Sequence, residues 1–257
     1  LAEQVPLALP AGVTLSAHWN PARAEGKRPA IIALHGCSGL YRHDGSTFDP
    51  RYVEYSGIFN RAGWHVLLPD SFSARGYTSV CAIPGGQPTV SAPDRRDDVA
   101  AAVAWLAARP EVDASRIAVV GWSHGAMAAL HAINSASPGL TRGLAGAAVF
   151  YPGCNAVLRG AFAIDMPLVM LLGEKDDWTP AAPCLRLDDW SAETLGDVLE
   201  TPVAQIAIDH LALLVARFGL DAVDFGIDVP VDEKEIEPAV VVEIDKADAP
   251  AEPPRVE

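Results

Sequence analysis

The sequence is short of what several protein classes require. It sets 19 Lys and Arg against 33 Asp and Glu, a net charge of −14 over 257 residues. It therefore lacks the basic surface that nucleic acid or an anionic membrane would need in a partner. The acidic excess is concentrated at one end: residues 221–257 carry −9 and the rest of the chain only −5. No apolar run approaches the roughly 18 residues that a membrane-spanning helix needs. Cysteine is sparse, at positions 37, 81, 154 and 184, and the spacing fits no zinc signature. His35, Cys37 and His43 come nearest to a ligand set, but nothing at suitable spacing completes it, so no metal is expected. Histidine is scarcer still late in the chain, where His210 is the one example after residue 131. No internal repeat is visible.

What the chain does have is apolar content, half of its residues, enough for a large core in one α/β domain over residues 1–220. Val13–Trp19 alternates as a half-buried strand does. "PAIIALHG" (29–36), "WHVLLPD" (64–70), "RIAVVG" (116–121), "GAAVFY" (146–151) and "PLVMLLG" (167–173) are continuous apolar runs. Runs of that kind are the mark of parallel strands covered on both faces. Helical spacing separates them at Pro50–Ala62, Pro93–Ala108 and Ser123–Asn134. Alternating strands and helices imply a mostly parallel sheet with right-handed crossovers, and a site beyond the carboxyl ends of its strands. Residues 201–218 have helical periodicity. The segment from 221 to 257 is an acidic, Pro-containing tail expected to be mostly disordered, with "AVVVEI" alone able to pair as a strand.

Three short motifs carry chemistry. Gly121-Trp122-Ser123-His124-Gly125 follows an apolar strand and opens a small-residue helix, the setting of a nucleophile elbow. His35-Gly36-Cys37 follows an earlier buried strand, where such folds supply an oxyanion N–H, so the N–H groups of Cys37 and His124 are the expected pair. His35 itself reads as a structural residue bracing that loop. In "LLGEKDDWTPAAPC", Asp176 and Asp177 follow a late strand, and either could be the carboxylate that orients a base. Tyr41, Trp178 and Phe72 could wall an apolar pocket, although each residue type more often packs in a core. Arg75 could grip a substrate carboxylate with its fork, or form an ion pair within the protein.

The motifs "HGCSGLYRHDG", "LLPDSFSARGYTSVC", "DRRDDVAAAVAWLAARPEVDASRIAVVGWSHGAMAAL", "FYPGC" and "LLGEKDDWTPAAPC" occur in that order. Together they resemble the dienelactone hydrolase family of α/β-hydrolases, in the branch with serine in place of the founding cysteine. The resemblance spans about residues 5–190. It implies an α/β-hydrolase fold with helices on both faces of the sheet, and hydrolysis of a small-molecule ester or lactone without a cofactor. By the same resemblance Ser123 is the nucleophile and Asp176 the triad acid, with Cys37 and His124 as oxyanion donors. It also places Cys37 beside Cys81 and Cys154 beside Cys184, two staples that would suit a periplasmic or secreted protein. A chain beginning at Leu1 would fit removal of an export signal, as it would a boundary of another kind, and a cytoplasmic protein is the alternative.

The sequence departs from the family at the base. The family's histidine follows a last strand in a motif that has no match here. His210 holds its place in chain order, 34 residues after Asp176, within the helical "QIAIDHLALL". The rival expectation is a hydrolase fold that binds a ligand or is impaired in catalysis, its base lost with an altered C-terminal segment.

Overall fold

Two-residue periodicity in the apolar runs decides the architecture, because it sends successive side chains to opposite faces of one sheet. In the computed structural model the described residues are 3–10, 12–42, 45–83, 89–155, 157–173 and 175–185, with the backbone of 193–194 and 239–244. The strands are β1 (Glu3–Ala8), β2 (Thr14–Asn20), β3 (Arg28–Leu34), β4 (His65–Pro69), β5 (Val112–Trp122), β6 (Gly146–Phe150), β7 (Leu168–Gly173), β8 (Glu193–Thr194) and β9 (Ala239–Ile244). They form one sheet in the order β1-β2-β4-β3-β5-β6-β7-β9-β8. The central strands β4, β3, β5, β6 and β7 are parallel. The β1–β2 hairpin flanks them antiparallel on one side, and β9 and β8 on the other.

Helices α1 (Pro50–Arg61), α2 (Arg96–Ala107), α3 (His124–Ile133) and the single turn α4 (Ala181–Cys184) supply the outer layers. Ile32, Leu34, Ile117, Val119 and Val149 face one side of the sheet, packed with Val99, Leu106, Leu130 and Ile133 of α2 and α3. Ile31, Ala33, Val120, Trp122 and Phe150 face the other, against Tyr52 and Phe59 of α1. This is the mostly parallel, doubly covered α/β-hydrolase sheet. Its alternation accounts for the uninterrupted apolar reading of β3 to β7, since both faces are dry. Among the described residues, no helix is long and apolar enough to cross a membrane.

Each central strand ends at the same edge, so the segments after β3, β4, β5, β6 and β7 converge there. Two disulfides staple those segments. Cys37 after β3 is bonded to Cys81 in the loop after β4, and Cys154 after β6 is bonded to Cys184 in α4. Within the acidic tail, residues 239–244 pair antiparallel with β7 from Leu168 to Gly173.

Candidate active site

Ser123 sits in the one-residue corner between β5 and α3 with φ 51° and ψ −113°. A serine holds such a left-handed conformation only when its surroundings impose it. Those surroundings are visible: the Ser123 N–H donates to the Phe150 carbonyl at 2.9 Å, and the Met127 N–H closes the first helical turn on the Ser123 carbonyl at 3.0 Å. The flanking glycines are needed because the backbone is crowded. A Cβ at Gly121 would lie 2.5 Å from the Gly125 carbonyl oxygen, and one at Gly125 would overlap the Leu34 carbonyl. The elbow is thus wedged directly against the end of β3.

That contact brings the next segment beside the hydroxyl-bearing residue. A Cβ at Gly36 would lie 3.8 Å from the Ser123 Cβ, so the 35–37 loop passes next to the elbow. Tyr52 of α1 fixes this loop by accepting the Gly36 N–H on its buried hydroxyl at 2.8 Å. On the far side the Val80 N–H donates to the Cys37 carbonyl at 2.8 Å, parallel to the Cys37–Cys81 bond. His35 is fully buried. Its Nε2 accepts the Ser71 N–H at 3.2 Å, so its Nδ1 carries the proton and donates to the Gly36 carbonyl at 2.8 Å. Burial, reinforced by the nearby Arg95 charge, holds its pKa well below the usual histidine range.

The His124 imidazole is engaged by groups other than Ser123. Its Nδ1 accepts from Arg95 Nη1 at 3.0 Å, and the ring also bonds the Val90 carbonyl. Burial first, and then the Arg95 charge, lowers its pKa to about 4, so it is neutral at ordinary pH. The other described histidines are engaged or distant in the fold. His18 bonds the Tyr41 hydroxyl at 2.7 Å, and His65 bonds the Ala22 N–H and the Glu111 carbonyl. His131 lies in the last turn of α3. His43 and His210 lie outside the described residues.

Asp176 is in the turn after β7, three residues beyond Gly173. Its Oδ1 accepts the N–H groups of Trp178 and Thr179 at 2.9 and 2.8 Å, and its Oδ2 accepts the Thr179 hydroxyl at 2.6 Å. Asp177 is exposed, so of the two candidates only Asp176 has its carboxylate fixed by hydrogen bonds that the structure records. Trp178 is 76% exposed. Tyr41 stacks near Phe48 and bonds His18. Phe72 is buried between the rings of His35 and His124 and belongs to the core beneath the loops. Arg75 is held bidentately by Asp98, at 2.6 and 3.1 Å, and also donates to the Ser71 carbonyl. Its fork is thereby occupied within the protein.

A family model of the dienelactone hydrolases matches residues 17–193. The chain belongs to the dienelactone hydrolase family. Solved structures of similar fold include an esterase of Thermogutta terrifontis, phosphoramylated by tabun, at 16% identity and TM-score 0.59, covering 87% of this chain and 97% of that one. An esterase of Pyrococcus furiosus matches at 19% identity and TM-score 0.53, covering 73% and 76%. A Klebsiella pneumoniae protein assigned to the dienelactone hydrolases matches at 18% identity and TM-score 0.54, covering 73% and 78%. No curated protein matches the sequence. In this family context the elbow, the 35–37 loop and the Asp176 turn share the strand-end edge on which an α/β-hydrolase assembles its chemistry.

Two residues that hold this edge together escaped the sequence reading. Tyr52 and Arg95 lie in segments whose polar neighbours suggest solvent. Helical phase is the signal that was there to use. Arg95 stands four residues before Val99 and eight before Val103, both on the buried face of α2.

Proposed function

We propose that this dienelactone hydrolase family member is a serine hydrolase that opens a small ester or lactone through an acyl-enzyme. Ser123 attacks the carbonyl, and the backbone N–H groups of Cys37 and His124 receive the oxyanion. Asp176 orients His210, which takes the Ser123 proton and returns it to the leaving group; water then releases the acyl group. Tyr41 and Trp178 are assigned to contact the substrate, while Arg75, already paired with Asp98, supports the loop after β4. No metal or organic cofactor enters these steps. The two disulfides suit an oxidising compartment, which favours a periplasmic or secreted protein.

The observation that carries the reading is the Ser123 backbone at φ 51°, held by the Phe150 carbonyl and crowded by two glycines. Serines that merely cap helices have no need of it. The test is hydrolysis of p-nitrophenyl acetate, with labelling by a fluorophosphonate; the Thermogutta esterase, modified by tabun, motivates an organophosphorus probe. Ser123→Ala should abolish labelling and lower kcat/KM by at least about 10³-fold, and His210→Ala should do the same to hydrolysis. Wild-type turnover in Ser123→Ala would refute the nucleophile, and in His210→Ala the base.

A further inference from the structure

Arg95, the residue that precedes α2, has a fully buried side chain. Its Nε donates to the Ser71 hydroxyl at 2.9 Å, and its Nη1 donates both to the His35 carbonyl at 2.9 Å and to His124 Nδ1 at 3.0 Å. The guanidinium carbon lies 5.3 Å over the Phe72 ring. Nη2 is buried and has no hydrogen-bond partner among the described residues. All three acceptors are neutral. The carboxylates of the neighbourhood are committed elsewhere: Asp98 to Arg75, and Asp70 to the N–H groups of Phe72 and Ser73 at 3.0 and 3.1 Å. Burial lowers the Arg95 pKa to about 10, which leaves it cationic at neutral pH.

A buried cation with only neutral acceptors is costly to a fold and calls for a reason. Its partners supply one. They stand on three separate segments, after β3, after β4 and at the elbow. The His35 carbonyl is two residues from the Cys37 N–H, and His124 carries the other oxyanion N–H. One fork therefore spans both halves of the oxyanion hole.

We propose that Arg95 is a positioning residue for acyl transfer: it locks the Cys37 and His124 N–H donors in register from behind, and its charge, bonded to neutral acceptors and only partly offset by Asp98 and Asp70, favours the negative oxygen they receive. The inference rests on Ser123 being the nucleophile. Preorganised dipoles act on the transition state more than on the bound ester, so the effect falls on kcat and not on KM. A purely structural arginine would instead lower the amount or melting temperature of folded protein at unchanged turnover.

The test is steady-state hydrolysis of p-nitrophenyl acetate by the full chain, with thermal unfolding measured on the same samples. Arg95→Met should lower kcat by about 10²-fold, the scale of losing one oxyanion donor, with KM within about twofold of wild type. Arg95→Lys keeps the charge but not the three-way fork, and should lose about tenfold. Ser71→Ala removes one acceptor of the Arg95 fork, on the segment after β4, and should cost about threefold in kcat alone. It keeps the idea testable should both Arg95 variants fail to fold, because unchanged kcat in Ser71→Ala would then overturn the proposal. Wild-type kcat in a folded Arg95 variant overturns it directly, as does a rise in KM that accounts for the whole loss. Ser123→Ala, assayed alongside, separates the two levels. If it is inactive while Arg95→Met keeps its kcat, only the Arg95 role falls. If Ser123→Ala keeps the rate, the nucleophile falls and this role with it.

Discussion

Reduction of the two disulfides should remove a large share of this protein's stability. The bonded pairs are separated by 44 and 30 residues. In the chain-entropy treatment, closing loops of that size restricts the unfolded chain by about 4 kcal/mol each. The loops do not nest or overlap in sequence, so the two contributions add to about 8 kcal/mol. A domain of ordinary stability has only about 5–15 kcal/mol in total. At an m-value of about 3 kcal/mol/M, complete reduction should lower the urea midpoint by about 2–3 M. The assay is urea unfolding followed by tryptophan fluorescence, with and without a phosphine reductant, and thiols counted by alkylation in both samples. Replacing either pair by alanine, Cys37 with Cys81 or Cys154 with Cys184, should give about half of the full effect. Four alkylatable thiols in the unreduced protein would refute the pairing. An unchanged midpoint after full reduction would refute the magnitude.

The elbow and its histidine make two further predictions. Gly125→Ala should destabilise the fold by about 3 kcal/mol or more, because the new methyl overlaps the Leu34 carbonyl and neither backbone can yield; an unchanged melting temperature would contradict the wedge of the elbow against β3. The His124 pKa is lowered from 6.5 to about 4 by burial and the Arg95 charge, opposed in part by the Val90 carbonyl and Asp94. The unfolded chain therefore binds the extra proton first. Stability from this site is complete above about pH 6.5 and falls by roughly 3 kcal/mol as the pH drops to 4. Urea midpoints across that range should decline, and the ring should remain neutral at pH 5 in an NMR titration; a protonated ring there would refute the assignment.

Much of the edge could be read from the residues, and the reasons are local. The apolar runs at 29–36 and 146–151 became β3 and β6 almost unaltered, since strands dry on both faces need continuous apolar sequence. "RIAVVG" proved to be the second half of a longer strand. β5 begins at Val112 because Arg28 pairs with Val112, across a bulge that a period-two pattern does not announce. β1 went unread: only Val5 and Leu7 within it face the core, too few to mark a strand without the partner β2. The helix expected from Pro93 starts at Arg96, with Pro93 to Arg95 in a turn that drops the Arg95 side chain under the loops. The ion pair of Arg75 with Asp98, 23 residues away, and the hold of Tyr52 on Gly36, 16 residues away, come from tertiary folding, which no local spacing encodes. His210, the residue on which the proposed base rests, lies outside the described residues.

The pairing of β9 with β7 has a consequence for the chain as a polymer. In a parallel sheet the outermost strand presents a row of unpaired N–H and C=O groups, a template on which another chain can add. Residues 239–244 occupy that row along the whole of β7, from Leu168 to Gly173, and they come from the acidic tail rather than from the motifs that carry chemistry. A protein cut before residue 239 would keep Ser123, Asp176 and His210 in its sequence while leaving β7 open. Its loss would move the open edge of the sheet inward from β9, which β8 covers at only two residues, to the apolar β7.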